Sequence, residues 1–187
     1  VGDYVDRNPY DLETLTLIYA FSLLFPENVH LLRGNHETRD INEHYGFYDN
    51  LLRSFREKAE KLYKLIAKTF IKLPIVFLVQ IHSKNNQIAR VLTVHGGIPI
   101  NLMNPDEPVL INTLENKIDS EYIKTDDLDE LTISILWSDP DQMIEDILTG
   151  AHLRGRTKFG YNILDQFMSA NDLDLIIRGH QKWKKGY

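Results

Sequence analysis

Four places in this chain share one layout, in which an apolar run ends and a loop opens on a metal-capable polar residue beside a glycine. They are Gly2-Asp3, Gly34-Asn35-His36, His95-Gly96-Gly97 and Gly179-His180. Such runs predict strand ends gathered along one edge of a sheet, which is where open α/β folds place their sites. Glycine at these points lets the backbone approach a bound anion closely. Taken singly, an Asp at a strand end is ordinarily a cap and a lone His ordinarily structural. Recurrence at four places shifts the reading toward a shared site.

Asp, Asn and two His make a mixed oxygen and nitrogen donor set, which suits Mn, Fe or Zn better than Ca or Mg. The sequence has no cysteine, so thiolate zinc sites, disulfide frameworks and cysteine nucleophiles are excluded. Arginines stand beside the same loops: Arg7, Arg33 before Gly34, Arg154 and Arg156 in a glycine-containing stretch, and Arg178 before Gly179. Guanidinium forks hold phosphate oxygens in bidentate fashion. Arg33 and Arg178 are expected to pair with structural carboxylates, leaving Arg7 and Arg154 as the phosphate candidates. Metals, arginines and a further histidine together point to metal-assisted phosphoester hydrolysis.

The rest of the chain supplies a scaffold for such a site. Its formal net charge of −6 argues against a generic nucleic-acid binder, and its 43% hydrophobic content suits a globular chain with one large core. No apolar stretch is long enough to span a bilayer. Leu12, Leu15, Ile18, Tyr19 and Ser22 fall on one helical face, which predicts a helix over 10–24 that ends before Pro26. Val29, Leu31 and Leu32 predict a buried strand, completing a β-α-β unit. A single helix is expected over 51–72, followed by strands over 75–81 and 88–94 joined by a turn at Lys84-Asn85-Asn86-Gln87. Residues 101–132 read as surface loop with short helical pieces, 159–170 as an amphipathic helix and 173–177 as a strand.

Six ordered segments carry a resemblance: Gly2-Asp3-Tyr4-Val5-Asp6-Arg7, Leu32-Arg33-Gly34-Asn35-His36-Glu37, Tyr45-Gly46-Phe47-Tyr48-Asp49, His95-Gly96-Gly97-Ile98, Leu136-Trp137-Ser138-Asp139-Pro140 and Arg178-Gly179-His180-Gln181. In these the chain closely resembles the phosphoprotein phosphatase (PPP) family of metal-dependent serine/threonine protein phosphatases, which contains protein phosphatase 1, protein phosphatase 2A and calcineurin. The resemblance implies an α/β fold of the calcineurin-like metallophosphoesterase kind, a β-sandwich flanked by helices, with residues 1–187 as a partial catalytic domain truncated at both ends. It implies hydrolysis of phosphoserine and phosphothreonine in phosphoproteins by a metal-activated water. Two metal ions, Mn or Fe with Zn, are expected in the full-length parent. Asp3, Asn35, His95 and His180 match metal ligands, and part of the first metal site is expected to lie upstream of residue 1. His36 matches a general acid and Asp6 the carboxylate paired with it. Arg7, Arg154 and Tyr45 match phosphate-binding and site-bordering residues. Expected partners are phosphoprotein substrates and regulatory subunits, with no nucleic acid and no membrane, in an intracellular setting, cytoplasmic or nuclear.

The sequence departs from the family pattern at Asn8, where glycine is usual, and in the stretch from Arg154 to Gly160, which is one residue short. That shortening leaves Arg156 as an alternative clamp. Trp137 is expected in the core or along an adjacent groove. Two other readings stand beside the phosphatase: a metallophosphoesterase acting on nucleotides, and an inactive scaffold that binds proteins. Retention of Asp3, Asp6, Arg7, Asn35, His36, His95 and His180 argues against the scaffold, which needs none of them.

Overall fold

The computed structural model describes residues 1–114, 128–149 and 157–182. These divide into two compact units, the first built from Val1–Pro74 with Leu128 and the second from the other described residues after 74. The chain is mixed α/β, with helices dominating the first unit and both sheets lying in the second.

The first unit holds α1 (Asp11–Leu24), α2 (Arg39–Tyr45), α3 (Phe47–Phe55) and α4 (Ala59–Phe70). The α1 boundaries match the apolar period: Asn8 Oδ1 accepts from the Tyr10 amide just before the helix, and Asp11 and Glu13 lie in its first turn at the positive end of the helix dipole. Gly46 joins α2 to α3 at φ 107°, a left-handed conformation that glycine adopts without cost. The single helix expected over 51–72 is instead two, broken at Arg56 (φ 50°), with a 3-10 turn at Arg56–Lys58 between them. The break has a packing reason. Phe47 and Leu51 of α3, and Ala59, Tyr63, Ile66, Ala67 and Phe70 of α4, all enter one core with Val5 and Leu15. Each set keeps helical spacing, and the turn at Arg56 lets both helices face the same core.

The strand expected over Val29 to Leu32 belongs to no ladder among the described residues, so the β-α-β reading holds only for its helix. Of the apolar run only Leu32 is buried, with Val29 and Leu31 half-buried. The Leu32 amide donates to the Tyr4 hydroxyl at 3.2 Å and the Arg33 amide to the Pro74 carbonyl at 2.8 Å.

In the second unit β1 (Val76–His82) and β2 (Ile88–Val94) form the expected antiparallel hairpin, with Val76 opposite Val94 and His82 opposite Ile88. Its turn uses Asn86 at φ 60°, and the Ser83 amide closes it on the Gln87 carbonyl at 2.8 Å. β6 (Leu175–Ile177) lies parallel to β2 on its other side, which makes β2 the central strand. Leu92 and Val94 of that strand are fully buried. A second sheet of two-residue strands orders β3 (Asp139–Pro140), β5 (Lys158–Phe159) and β4 (Ile147–Leu148). Phe159 thus belongs to a strand, and α6 starts later than expected, at Tyr161–Ala170.

Helix α5 (Glu130–Trp137) begins inside the stretch expected to be irregular. Its start is set by Asp129, whose carboxylate accepts from the Thr132 amide at 3.0 Å and the Thr132 hydroxyl at 2.7 Å. Asp129→Ala is expected to lower stability by about 1 kcal/mol. Urea denaturation checks this, and an unchanged midpoint would show that the cap does not hold α5.

Candidate functional site

The first unit gathers its site residues where two loops meet. A Cβ on Gly2 would run into the Gly34 backbone, and a Cβ on Gly34 would run into the Asp3 amide and carboxylate. The contact is tied by Glu37, whose side chain is fully buried. Its Oε2 accepts from the amides of Asp3 at 2.9 Å and Gly34 at 2.7 Å, and its Oε1 from the amide of Tyr4 at 2.8 Å. Burial, and then the neighbouring Asp3 carboxylate, push the Glu37 carboxyl above its usual range, against three amide bonds that favour its ionised form. Asp3, Asp6 and Arg7 have φ of 60°, 79° and 59°, conformations that non-glycine residues adopt at a cost and that cluster at functional sites.

This loop pair sets the orientation of His36. Its backbone amide donates to Asp3 Oδ1 at 3.1 Å, and its buried ring places Nδ1 2.7 Å from Asp6 Oδ2. The Asp6 carboxylate is also held from other directions: Oδ1 accepts from the Phe47 amide at the start of α3 at 3.0 Å, and Oδ2 from Asn42 Nδ2 at 2.9 Å. A carboxylate oxygen accepts, so Nδ1–H donates to Asp6 and Nε2 is the ring nitrogen left for chemistry. The Tyr45 ring lies 5.2 Å from the His36 ring, and the exposed Arg7 guanidinium covers Tyr45 at 4.5 Å. His36, Asp6, Arg7 and Tyr45 are therefore brought together within the first unit. Asn35 is buried at 2% exposure while Asp3 is exposed.

In the second unit β2 delivers His95 and β6 delivers His180. His180 Nδ1 lies 3.3 Å from His95 Nε2, with the Gly179 amide donating to the His95 carbonyl at 3.0 Å. The amides of Gly96 and Gly97 both donate to the Ile135 carbonyl, and a Cβ on Gly96 would collide with backbone at the end of α5. Ring nitrogens approaching this closely fit a shared cation.

Arg178 takes the structural role expected of it. It donates to Asp139 Oδ1 at 2.7 Å, to Gln181 Oε1 at 2.7 Å and to the Gly96 carbonyl. Burial lowers its pKa, and Asp139 opposes that shift. Asp139 Oδ1 also lies 3.9 Å from His180 Nε2, beyond hydrogen-bonding distance. Arg33 is buried, donates to the Glu37 carbonyl at 3.1 Å and has its burial partly offset by the Glu37 charge. Trp137 departs from core packing: it is half-buried and stands edge-on to the His180 ring at 5.8 Å. Arg154 and Arg156 lie outside the described residues.

Sequence reasoning missed Glu37, Asn42 and Asp139 as supporting residues. Glu37 and Asp139 stood inside quoted motifs, so a signal was present for both. For Asn42 the only hint was an amide side chain in the middle of a short helix, where it is disfavoured unless it is bonded.

The sequence profile of the calcineurin-like phosphoesterase family matches residues 1–183. A protein of Encephalitozoon cuniculi (strain GB-M1), named a probable serine/threonine-protein phosphatase, is 35% identical over 187 residues, covering 100% of this chain and 36% of that protein. A solved protein serine/threonine phosphatase from Saccharomyces cerevisiae, described as similar to human phosphatase PP5, matches with a TM-score of 0.73 at 27% identity. That match covers 97% of this chain and 50% of the yeast chain. The chain thus spans half or less of the length of these relatives. With its profile matched from the first residue to 183, and its histidines and carboxylates gathered at loop ends, the chain belongs to the calcineurin-like phosphoesterase family.

Proposed function

We propose that the protein carrying this chain hydrolyses phosphoserine and phosphothreonine in phosphoproteins, with His36 as general acid. The observation that carries this reading is the buried His36–Asp6 pair at 2.7 Å, beside Arg7 and Tyr45. A serine or threonine alkoxide is a poor leaving group, so a positioned proton donor is worth about 10²- to 10⁴-fold in rate. Asp6 holds the imidazole by Nδ1, so that Nε2 is the nitrogen that gives a proton to the departing oxygen. Arg7 binds phosphate oxygens, with Tyr45 backing its guanidinium, and Arg154 is the second phosphate contact in this proposal.

Asp3, Asn35, His95 and His180 hold metal in the same proposal, with Mn or Fe with Zn as the ions and two ions in the whole protein. Bound metal would supply Lewis acidity toward phosphoryl oxygens and activate the attacking water. The relatives' printed names, both protein phosphatases, favour phosphoproteins as substrates over nucleotides. Regulatory subunits and an intracellular location, cytoplasmic or nuclear, complete the proposal. Among the described residues no helix is long and apolar enough to cross a membrane.

The deciding experiment measures phosphate release by the whole protein from a phosphoserine peptide and from a diadenosine polyphosphate, with added Mn and after chelation. We expect turnover of the peptide with Mn, its loss on chelation, and little action on the dinucleotide. Cleavage of the dinucleotide with the peptide left intact would replace the phosphatase reading by the nucleotide one. Inertness toward both would favour the scaffold.

A further inference from the structure

We propose that Asn42 and Tyr63 are positioning residues that act on His36 through Asp6, an inference that rests on His36 as general acid. Asn42 Nδ2 lies 2.9 Å from Asp6 Oδ2 and 2.6 Å from the His36 carbonyl. Both neighbours are acceptors, so the amide nitrogen and not its oxygen must face them. Asn42 Oδ1 is then directed the other way and accepts from the Tyr63 hydroxyl at 3.0 Å. The result is a directed chain, Tyr63 to Asn42 to Asp6 to the His36 ring, in which each donor fixes the next group. The Phe47 amide donates to the other oxygen, Asp6 Oδ1, and so holds the carboxylate from its second side.

The far end of the chain is fixed as firmly as the near end. Tyr63 is almost wholly buried, edge-on to Tyr48 at 5.3 Å and beside Phe47 at 6.3 Å, with the Arg39 guanidinium 5.4 Å above its ring. Burial raises its phenol pKa well above the usual value, so the hydroxyl remains a donor across any assay range. Arg39 is itself tied to Glu43 at 2.7 Å and to Glu60 at 3.4 Å, and Glu60 also accepts from Tyr48 at 2.7 Å. Core helix α4 is thereby linked by hydrogen bonds to the loop that carries the acid. A buried amide kept only for structural reasons would need partners of any kind, whereas here every partner lies on the path to His36.

The test compares the whole wild-type protein with Tyr63→Phe, which removes one hydroxyl, and with Asn42→Leu, which removes the link at similar volume. The first readout is kcat on a phosphoserine peptide against kcat on p-nitrophenyl phosphate, whose leaving group needs little proton assistance. We expect Asn42→Leu to lose about 10-fold or more on the peptide and much less on the aryl ester, and Tyr63→Phe to lose less in the same direction. The second readout needs no turnover: nitrogen NMR of the labelled His36 ring in the metal-free protein reports which nitrogen carries the proton. In the wild type Nδ1–H toward Asp6 should dominate, and in the variants the tautomers should mix. Equal losses on both substrates, or an unchanged tautomer in both folded variants, would overturn the positioning role. If the wild type cleaves neither phosphate, the phosphatase reading fails, and the NMR comparison still decides the positioning claim. Should Asn42→Leu not fold, Tyr63→Phe carries the decision alone.

Discussion

Replacing His36 by Asn in the whole protein should lower kcat on a phosphoserine peptide by about 10²- to 10⁴-fold while leaving KM within a few-fold. Arg7 and Tyr45 lie on the accessible side of the ring and do not depend on the imidazole for their own contact, a guanidinium stacked at 4.5 Å. Phosphate binding should therefore survive. The Asn side chain can still accept or donate near Asp6, but it offers no ionisable proton to a departing alkoxide. On p-nitrophenyl phosphate the loss should shrink, because a phenolate leaves without a proton. The pattern across the two substrates matters more than either number. An equal loss on both would mean that His36 holds the loop and is not the acid, and no loss on the peptide would remove it from the mechanism. Asp6→Asn should follow the same substrate pattern. It keeps an acceptor oxygen for the Phe47 amide but loses the carboxylate that holds the His36 ring by Nδ1.

The parts of this site that the sequence announced were those with chemistry of their own. Asp3, Asn35, His36, His95 and His180 were legible because each stands where an apolar run gives way to a glycine-bearing loop, and the resemblance then assigned them roles. The structure places His36 with Asp6, Arg7 and Tyr45, and His95 with His180. What stayed hidden were residues whose importance comes only from who their neighbours are. Asn42 reads as an indifferent polar residue until the fold sets it between two acceptors. Asp139 becomes informative once Arg178 and His180 converge on it from the far end of the chain.

The fold was legible to a similar depth. Helix α1 and the β1–β2 hairpin follow from local periodicity and a short turn, so the sequence carried them. The break at Arg56 does not, since Arg56 is an ordinary helix former and the reason for the turn is a core shared by α3 and α4. The run from Val29 to Leu32 failed for a related reason. Apolar character predicts an extended, buried backbone, but a ladder also requires a neighbour, and its amide at Leu32 went to a tyrosine hydroxyl instead.

Glu37→Ala should be the most destabilising single change in the first unit, at about 3–5 kcal/mol. Three backbone amides from two separate loops end on this one carboxylate, at 2.9, 2.8 and 2.7 Å, in a place that water does not reach. Alanine would leave all three donors without their acceptor, and hydrogen bonds to a charged group are worth more than neutral ones. It would also strip the buried Arg33 guanidinium of the negative charge that offsets its burial. Glu37→Gln separates these contributions. It keeps the volume and one acceptor oxygen but turns an NH2 group toward an amide donor, so it should recover only part of the loss. Urea denaturation followed by circular dichroism measures both variants. The same lesion can be made from the opposite side, because a methyl on Gly34 would press on the Asp3 amide, the Asp3 carboxylate and the Glu37 carboxylate together. Gly34→Ala should therefore destabilise as well, and combined with Glu37→Ala it should cost less than the two single losses added, since both open one contact. Full additivity, or a Glu37→Ala cost below about 1 kcal/mol, would show that the two loops are held by something other than this carboxylate.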